Sequence, residues 1–434
     1  MDVVELLRPV YAGRRVLLAC GPVQSKSALV AGLRSLGAAD CLVVGSMGTG
    51  PVPDAEHLLV DVRPATLMDE FRRWERIAAD PPAEVAAAVD RFAPDLVLTN
   101  GVESSTTFAG RPVFGSRPPA WTALEDKVTV DALWDAAGVP RAEAETAPLG
   151  GTAAWSAHRR LDAGAGTVWA GDARDGWHGG GELVRRVRSR AEAERVAADL
   201  GTRCDQVRVM PFLDGLPCSI HGFVTADAVA ALRPVEIIVL RSSQGFRYCG
   251  VATTWDPAPG DREAMRAAAR RVGSLLREEV GYRGCFTVDG VMTADGFRPT
   301  ELNPRVGAGL KYVPVALPEL PFGLLQAAAV GDGVSVDAGE LERAILPAAD
   351  RSRVRGCHTL VPDRHVVAEE TYQDGGCSLT LGPGTIGAMV RITTVDSPPD
   401  GEPFAPTAVK ALALADRRWA LGLGPLTAAP LVRG

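Results

Sequence analysis

The chain has 434 residues, 46% of them hydrophobic and 23% charged, with a formal net charge of −7. That length exceeds a single compact core, and the composition excludes extensive disorder. The acidic balance argues against nucleic acid as a partner, because phosphate backbones are held by clustered Lys and Arg, and small molecules are the expected ligands.

The amino end, MDVVELLRPVYAGRRVLLAC, has acids ahead of its apolar run and no basic segment, so it does not read as a secretory signal. No apolar run approaches the roughly 20 residues of a membrane span. A cytoplasmic protein without a membrane partner is expected. The eight cysteines lie apart with no CxxC pair, which suits buried reduced thiols, and the six histidines form no metal-ligand spacing.

Residues 14 to about 118 alternate apolar runs with helical ones: RRVLLACG, SKSALVAGLRSLG, DCLVVGS, EHLLVDV, a long helical stretch through VAAAVDRFA, then PDLVLTNG. That order predicts a Rossmann-like parallel sheet over 1–118. Two stretches imitate phosphate loops and fail. ACGPVQSKS has Cys20 and Ser25 where glycines are needed, and GSMGTGPVP runs into Pro51 and Pro53 where a helix should start.

From 119 a second domain is expected, divided at about 204. Its first part opens with a helix on which Val130, Leu133, Trp134 and Ala137 recur at helical spacing, ending at Gly138. GTAAWSAHRRLDAGAGTVWAGDARDGWHGGGELVRRV reads as a glycine-rich, hairpin-like piece, and the arginines of LVRRVRSR as a solvated helix face. Gly179, Gly180 and Gly181 leave backbone N–H groups free to turn toward an anion. From 205 to 330 the pattern becomes antiparallel strands around the amphipathic helix DREAMRAAARRVGSLLREEVG. Residues 331–434, with their own strands and the helix TAVKALALADRRWALG, are expected to form a small β-rich C-terminal domain.

The hairpin GCFTVDGVMTADGFRPTELNPR carries the chemistry. A three-residue loop ADG with left-handed Gly296 pairs Thr293 with Phe297, Asp289 with Glu301 and Thr287 with Asn303. Phe286, Val288, Met292 and Leu302 then share an apolar face, and Asp289, Glu301 and Asn303 share the other. A two-residue loop would shift Asp289 off that face. Two facing carboxylates repel by roughly 3 kcal/mol at an effective dielectric near 20. A shared proton, an intervening arginine or a bridging dication relieves this, and Asp, Glu and Asn oxygens suit magnesium. The alternative is a solvated acidic patch with Arg298 or Arg305 as counter-charge.

In this order, TVDGVMTADGFRPTELNPRVGAG resembles the paired metal-binding strands of the ATP-grasp family, EDKVTVDALWDAAGVP its Asp-Lys helix, GWHGGGELVRRVRS its phosphate-covering loop and VRVMPFLDGLPCSIHG its hinge strand. The resemblance covers much of residues 120–312. It implies ATP and Mg2+ as cofactors, with Asp289, Glu301 and Asn303 holding magnesium. It further implies that Arg305 stabilises the transferring phosphoryl group, Lys127 approaches a phosphate, Gly179 to Gly181 cover the phosphates, and backbone near Met210 and Phe212 meets adenine. Arg241 and Arg247 are candidate substrate cations, and His221 reads as structural. Two positions depart from the family pattern. Ala170 stands where a lysine is expected, with Arg159, Arg160 or Arg174 as replacement cations, and VMPF stands where the hinge usually carries a glutamate.

The resemblance implies an ADP-forming carboxylate–amine ligase working through an acyl-phosphate, on small-molecule carboxylate and amine substrates, with a homodimer allowed. A non-catalytic ATP-grasp relative is the alternative.

Overall fold

Short β-branched and leucine-rich runs separated by helices leave the amino-terminal strands nowhere to bury both faces except a parallel sheet between helices. The computed structural model describes residues 2–242, 245–331, 333–374, 376–394 and 398–430. Its first sheet is parallel, with strand order Glu56–Leu59, Asp40–Ser46, Arg15–Pro22 and Leu96–Leu98. The chain runs outward from Arg15–Pro22 in one direction and returns to its other side with Leu96–Leu98. The carboxyl ends of those two strands therefore flank a topological switch point, where open α/β sheets form crevices. The expected long helix is two, Leu67–Ala79 and Ala83–Phe92, interrupted at Asp80, Pro81 and Pro82, where a proline pair ends helical geometry.

The second sheet, in the order Glu145–Pro148, Gln206–Pro211, Thr167–Gly171 and Val184–Val187, is antiparallel. Two local readings change here. GTAAWSAHRRL forms the helix Ala153–Leu161 rather than part of a hairpin, because Ala154, Ala157 and Leu161 recur at helical spacing and are buried. Arg185 and Arg186 of LVRRVRSR lie on the strand Val184–Val187, which pairs with Thr167–Gly171, and Arg190 begins the helix Arg190–Gly201.

The largest sheet runs Gly245–Ala252, Val235–Ser242, Leu216–Val224, Gly284–Thr293, Gly296–Asn303, with Val229–Ala231 beside Leu216–Val224. One face is covered by the helix Pro259–Val280, whose Met265, Ala268, Val272 and Leu276 pack on Phe286, Val288, Met292 and Leu302. The hairpin's apolar face is thus the expected one. A fourth sheet, Gly356–Val361, Ala388–Thr394, Cys377–Pro383 and Glu370–Asp374, packs with the helix Ala405–Trp419 against Ile238, Leu240 and Cys249 of the large sheet. The boundary expected at 330 falls within one apolar cluster, since Leu341, Ile345 and Ala349 pack with Leu325, Leu33 and Leu7. All eight cysteines are buried free thiols. Among the described residues no helix is long and apolar enough to cross a membrane.

Candidate active site

The hairpin reaches the expected facing of its acids by an unexpected route. Thr293 pairs with Gly296, so only Ala294 and Asp295 form the loop, one residue fewer than expected. Alone, that change would have displaced Asp289 from Glu301. A bulge between Asp289 and Gly290 cancels it by leaving Thr300 as an extra residue, and below the bulge Asp289 pairs with Glu301 and Thr287 with Asn303. Thr300 Oγ1 donates to the Asp289 carbonyl, which ties the bulged residue back to its partner strand.

Asp289 accepts hydrogen bonds from Ser219 on the neighbouring strand and from Asn303 Nδ2 at 2.9 Å. Burial, and then the charge of Glu301, push its carboxyl up to about 7. Glu301 is paired with Lys127 Nζ at 3.0 Å. Lys127 is not an exposed helix lysine beside Asp126 or Asp131. It sits in the turn after Ala123–Glu125, is 3% exposed, and also contacts His178 Nδ1 at 3.3 Å. His178 Nε2 lies 3.2 Å from the Gly171 carbonyl, so Nε2–H donates there and Nδ1 accepts from the lysine. The imidazole is therefore neutral, in keeping with a pKa lowered to about 3 by burial first and by Lys127 second.

Arg305 donates from Nη2 to Asn303 Oδ1 at 2.7 Å and from Nε to Glu125 at 3.2 and 3.3 Å. Glu125 is fully buried and also bound by Arg117, and both guanidiniums lie 5.7 Å from the Trp177 ring. The counter-charge expected of Arg298 or Arg305 toward the hairpin acids is supplied to Glu301 by Lys127. Each cation that would meet phosphate thus rests on a side chain that would hold magnesium.

The glycines of VGAG let this loop lie flat. A Cβ on Gly307 would stand 2.2 Å from Thr287 Oγ1, and one on Gly309 2.2 Å from His221 Nε2. His221 is fully buried, bonds Thr287 Oγ1 through Nδ1 and is held neutral by burial, so its role is structural as expected.

The glycine-rich loop covers the site. Gly179 is buried with its Cβ position 3.2 Å from Arg305 Nη2, whereas Gly180 and Gly181 are exposed, have positive φ and meet no atom within 4 Å. The loop is fastened to the amino-terminal domain: Trp177 packs on Phe71 and donates to Glu75, and Glu182 pairs with Arg72 and Arg203.

Met210 is buried on the strand Gln206–Pro211, facing the same way as Arg208 and Ala170, opposite Val207 and Val209 of the small domain's core. The Phe212 amide donates to Gly166, so that N–H is committed within the protein, and its ring is stacked between Arg186 and Arg241 at 3.5 and 4.8 Å. Arg241 shares that sheet face with Phe246 and Tyr248. Tyr248 is 40% exposed yet feels Asp289, so this face opens on the acidic side. Arg247 does not join it. Its partner across the strands is the core residue Leu240, and its guanidinium meets Thr359 and Leu360 at 3.3 Å, which removes it from the substrate candidates.

Ala170 lies opposite Arg208, which is clamped by Asp131 at 2.7 and 2.8 Å. The suggested replacements are elsewhere: Arg160 pairs with Glu145, Arg174 with Asp175 and Asp205, and Arg159 is exposed. Sequence reasoning missed Glu125, Trp177, His178 and Ser219. Glu125 stands two residues before Lys127 and Ser219 in register with Asp289, but only the fold supplies their partners.

No family model matches the chain. A D-alanine–D-alanine ligase from Frankia casuarinae is 28% identical over 232 residues, 49% of this chain and 59% of that protein, so the match spans less than two thirds of the relative. Three solved structures share the architecture. The biotin carboxylase domain of a Hydrogenobacter thermophilus 2-oxoglutarate carboxylase, solved with MgADP, has a TM-score of 0.57 at 12% identity, over 88% of this chain and 86% of that one. A carboxyaminoimidazole ribonucleotide synthase from Aspergillus clavatus, solved with ATP, gives 0.55 at 13%, over 94% and 99%, and an L-amino acid ligase from Bacillus licheniformis 0.53 at 13%, over 93% and 98%.

The chain shares the fold of these three structures. The acidic hairpin lies on the edge of the largest sheet. The side chains present fit a hard dication: Asp289, Glu301 and Asn303 share one face of the hairpin, the Asp289 carboxyl is pushed up to about 7 by burial and by Glu301, and magnesium takes one or two carboxylates and completes its shell from water and phosphate.

Proposed function

We propose that this chain is an ATP-dependent, ADP-forming carboxylate–amine ligase using Mg2+. The observation that carries the reading is the pairing of Lys127 with Glu301 and of Arg305 with Asn303, beside a buried Asp289 that, among the described residues, has no ion pair. Asp289, Glu301 and Asn303 would hold magnesium, which when bound draws negative charge from the phosphates. Once those oxygens are engaged, Lys127 would be released toward phosphate oxygens, and Arg305, still held through Nε by Glu125, would offer them its Nη2.

Glu125 and the Trp177 ring fix the Arg305 guanidinium, so little ordering remains at the moment of transfer. His178, neutral, orients the Lys127 ammonium without competing for its charge. The Gly179 to Gly181 backbone and Trp177 exclude water, as an acyl-phosphate requires if an amine is to intercept it before hydrolysis. The D-alanine–D-alanine ligase and L-amino acid ligase likenesses support an amino-acid-like substrate.

The test is an ADP-release screen of paired carboxylates and amines with MgATP, followed by mass spectrometry of products. Amide formation that disappears in Glu301→Gln is expected. Unchanged turnover after neutralising both Asp289 and Glu301 would overturn the reading.

A further inference from the structure

Arg117 is 4% exposed and binds the carboxylate that holds Arg305. It stands between the short strand Arg111–Pro112 and the helix Pro119–Thr122, and the prolines at 118 and 119 stiffen the backbone that carries it. Its Nη1 donates to Glu125 Oε1 and its Nη2 to the Val102 carbonyl, so the planar guanidinium is held at both outer nitrogens.

Two simpler roles do not account for it. Glu125 does not need Arg117 as a counter-charge, since Arg305 Nε already lies 3.3 and 3.2 Å from its two oxygens. Fastening Val102 requires only a neutral donor. Arg117 instead brings a second positive charge to one buried carboxylate and leaves its own Nε without a partner among the described residues, and both features cost free energy.

The shared carboxylate supplies a reason. Arg305 Nε forks between the two Glu125 oxygens, and the terminal torsion of a glutamate is soft, so this contact alone leaves the carboxylate free to turn. Arg117 removes that freedom by holding Oε1. Because Glu125 grips Arg305 at Nε, the orientation of the carboxylate sets where the Nη groups point, one of which meets Asn303 Oδ1 at 2.7 Å.

The Val102 end carries the contacts further. Val102 lies in the loop 99–106, after the strand Leu96–Leu98, and two residues on Ser104 donates its amide and hydroxyl to Glu75 Oε1 at 2.8 and 2.6 Å. The same oxygen accepts Trp177 Nε1 at 3.0 Å. One loop of the amino-terminal domain thus reaches Arg305 through Arg117 and Glu125, and the glycine loop through Glu75 and Trp177. The Trp177 ring, 5.7 Å from both guanidiniums, is where the two routes meet.

We propose that Arg117 is a positioning residue for phosphoryl transfer: it fixes the Glu125 carboxylate, and through it the direction in which Arg305 offers its Nη groups to the transferring phosphoryl group. The inference rests on the ligase reading for the role of Arg305.

The experiment uses the full chain, with MgADP plus aluminium fluoride standing in for the transferring phosphoryl group and MgATP for the ground state, both titrated by calorimetry beside a thermal melt. Arg117→Lys keeps the charge and loses the fork, and Arg117→Gln keeps a neutral donor for Val102. Each should weaken the aluminium fluoride complex about tenfold to a hundredfold while leaving the Kd for MgATP within about twofold. The deciding comparison is a double-mutant cycle with Arg305→Lys. Once Arg305 is replaced, either Arg117 variant should have no further effect on the complex. Additive losses, equal losses for MgATP and the complex, or Arg117 variants that bind like the wild type would each overturn the assignment and leave the ligase reading in place. A wild type that binds neither MgATP nor the complex would remove both.

Discussion

Asp289 stands to gain from a bound cation, because it is buried beside Glu301 with hydrogen bonds but, among the described residues, no ion pair. Replacing it by Asn removes the repulsion and a ligand of the proposed cation site together. Asp289→Asn should therefore raise the Tm by about 2 °C while lowering ADP release about a hundredfold or more, a stability gain at the expense of activity read by thermal melt and coupled assay. Loss of both stability and activity would mean that the carboxylate serves packing instead. The same scale explains which site residues could be named early. Asp289, Glu301, Asn303 and Arg305 lie on one hairpin, where alternation and register suffice, whereas Glu125 reaches Arg305 across 180 positions and only tertiary packing brings it there.

At the scale of elements, the hairpin and its following loop are controlled by backbone more than by side chains. The two-residue turn and the bulge at Thr300 offset one another, and hydrophobic alternation could not reveal either because Phe286, Val288, Met292 and Leu302 share one face both with a three-residue loop and with the two-residue turn plus bulge. Flat seating of the Arg305 loop depends on Gly309. Gly309→Ala should cost about 1–3 kcal/mol by urea unfolding and displace Arg305 enough to reduce turnover, whereas Gly150→Ala, with open space at its Cβ position, should do neither. At Trp177 the glycine loop is held by an indole hydrogen bond to Glu75 and by ring packing on Phe71, beside the Glu182 pairs with Arg72 and Arg203. Trp177→Phe keeps the packing and removes the bond, so limited proteolysis near Gly180 should accelerate and the KM for ATP should rise. Equal cleavage rates would show that ring packing alone suffices.

For the whole molecule, the parallel and antiparallel portions were legible because period-two alternation and strand–helix alternation are local signals. The joins between them were not. The helix Ala338–Arg351 packs with the amino-terminal core, and strands of the large sheet share a core with the C-terminal sheet, contacts that no local pattern encodes. One such join depends on pH. Glu236, fully buried on the strand Val235–Ser242, accepts the Phe404 and Ala405 amides at the start of the helix Ala405–Trp419, and burial raises its pKa to about 7. An acid whose folded pKa exceeds its unfolded value near 4.5 stabilises the fold fully below about pH 4.5, and that contribution is lost as pH rises through 7, by roughly 3 kcal/mol. Urea midpoints at pH 5 and 8 should differ in this sense for the wild type, and the difference should shrink in Glu236→Gln. A midpoint that rises with pH equally in both proteins would place the effect elsewhere.

The fastening of the glycine loop to the helix Leu67–Ala79 has a kinetic meaning for the proposed ligase. Spent nucleotide would lie beneath a latch whose catch belongs to the amino-terminal domain, so it would depart last, after the amide product has gone and the latch has lifted. ADP should then inhibit competitively against ATP and non-competitively against the other two reactants, and slow latch release should set the maximal turnover.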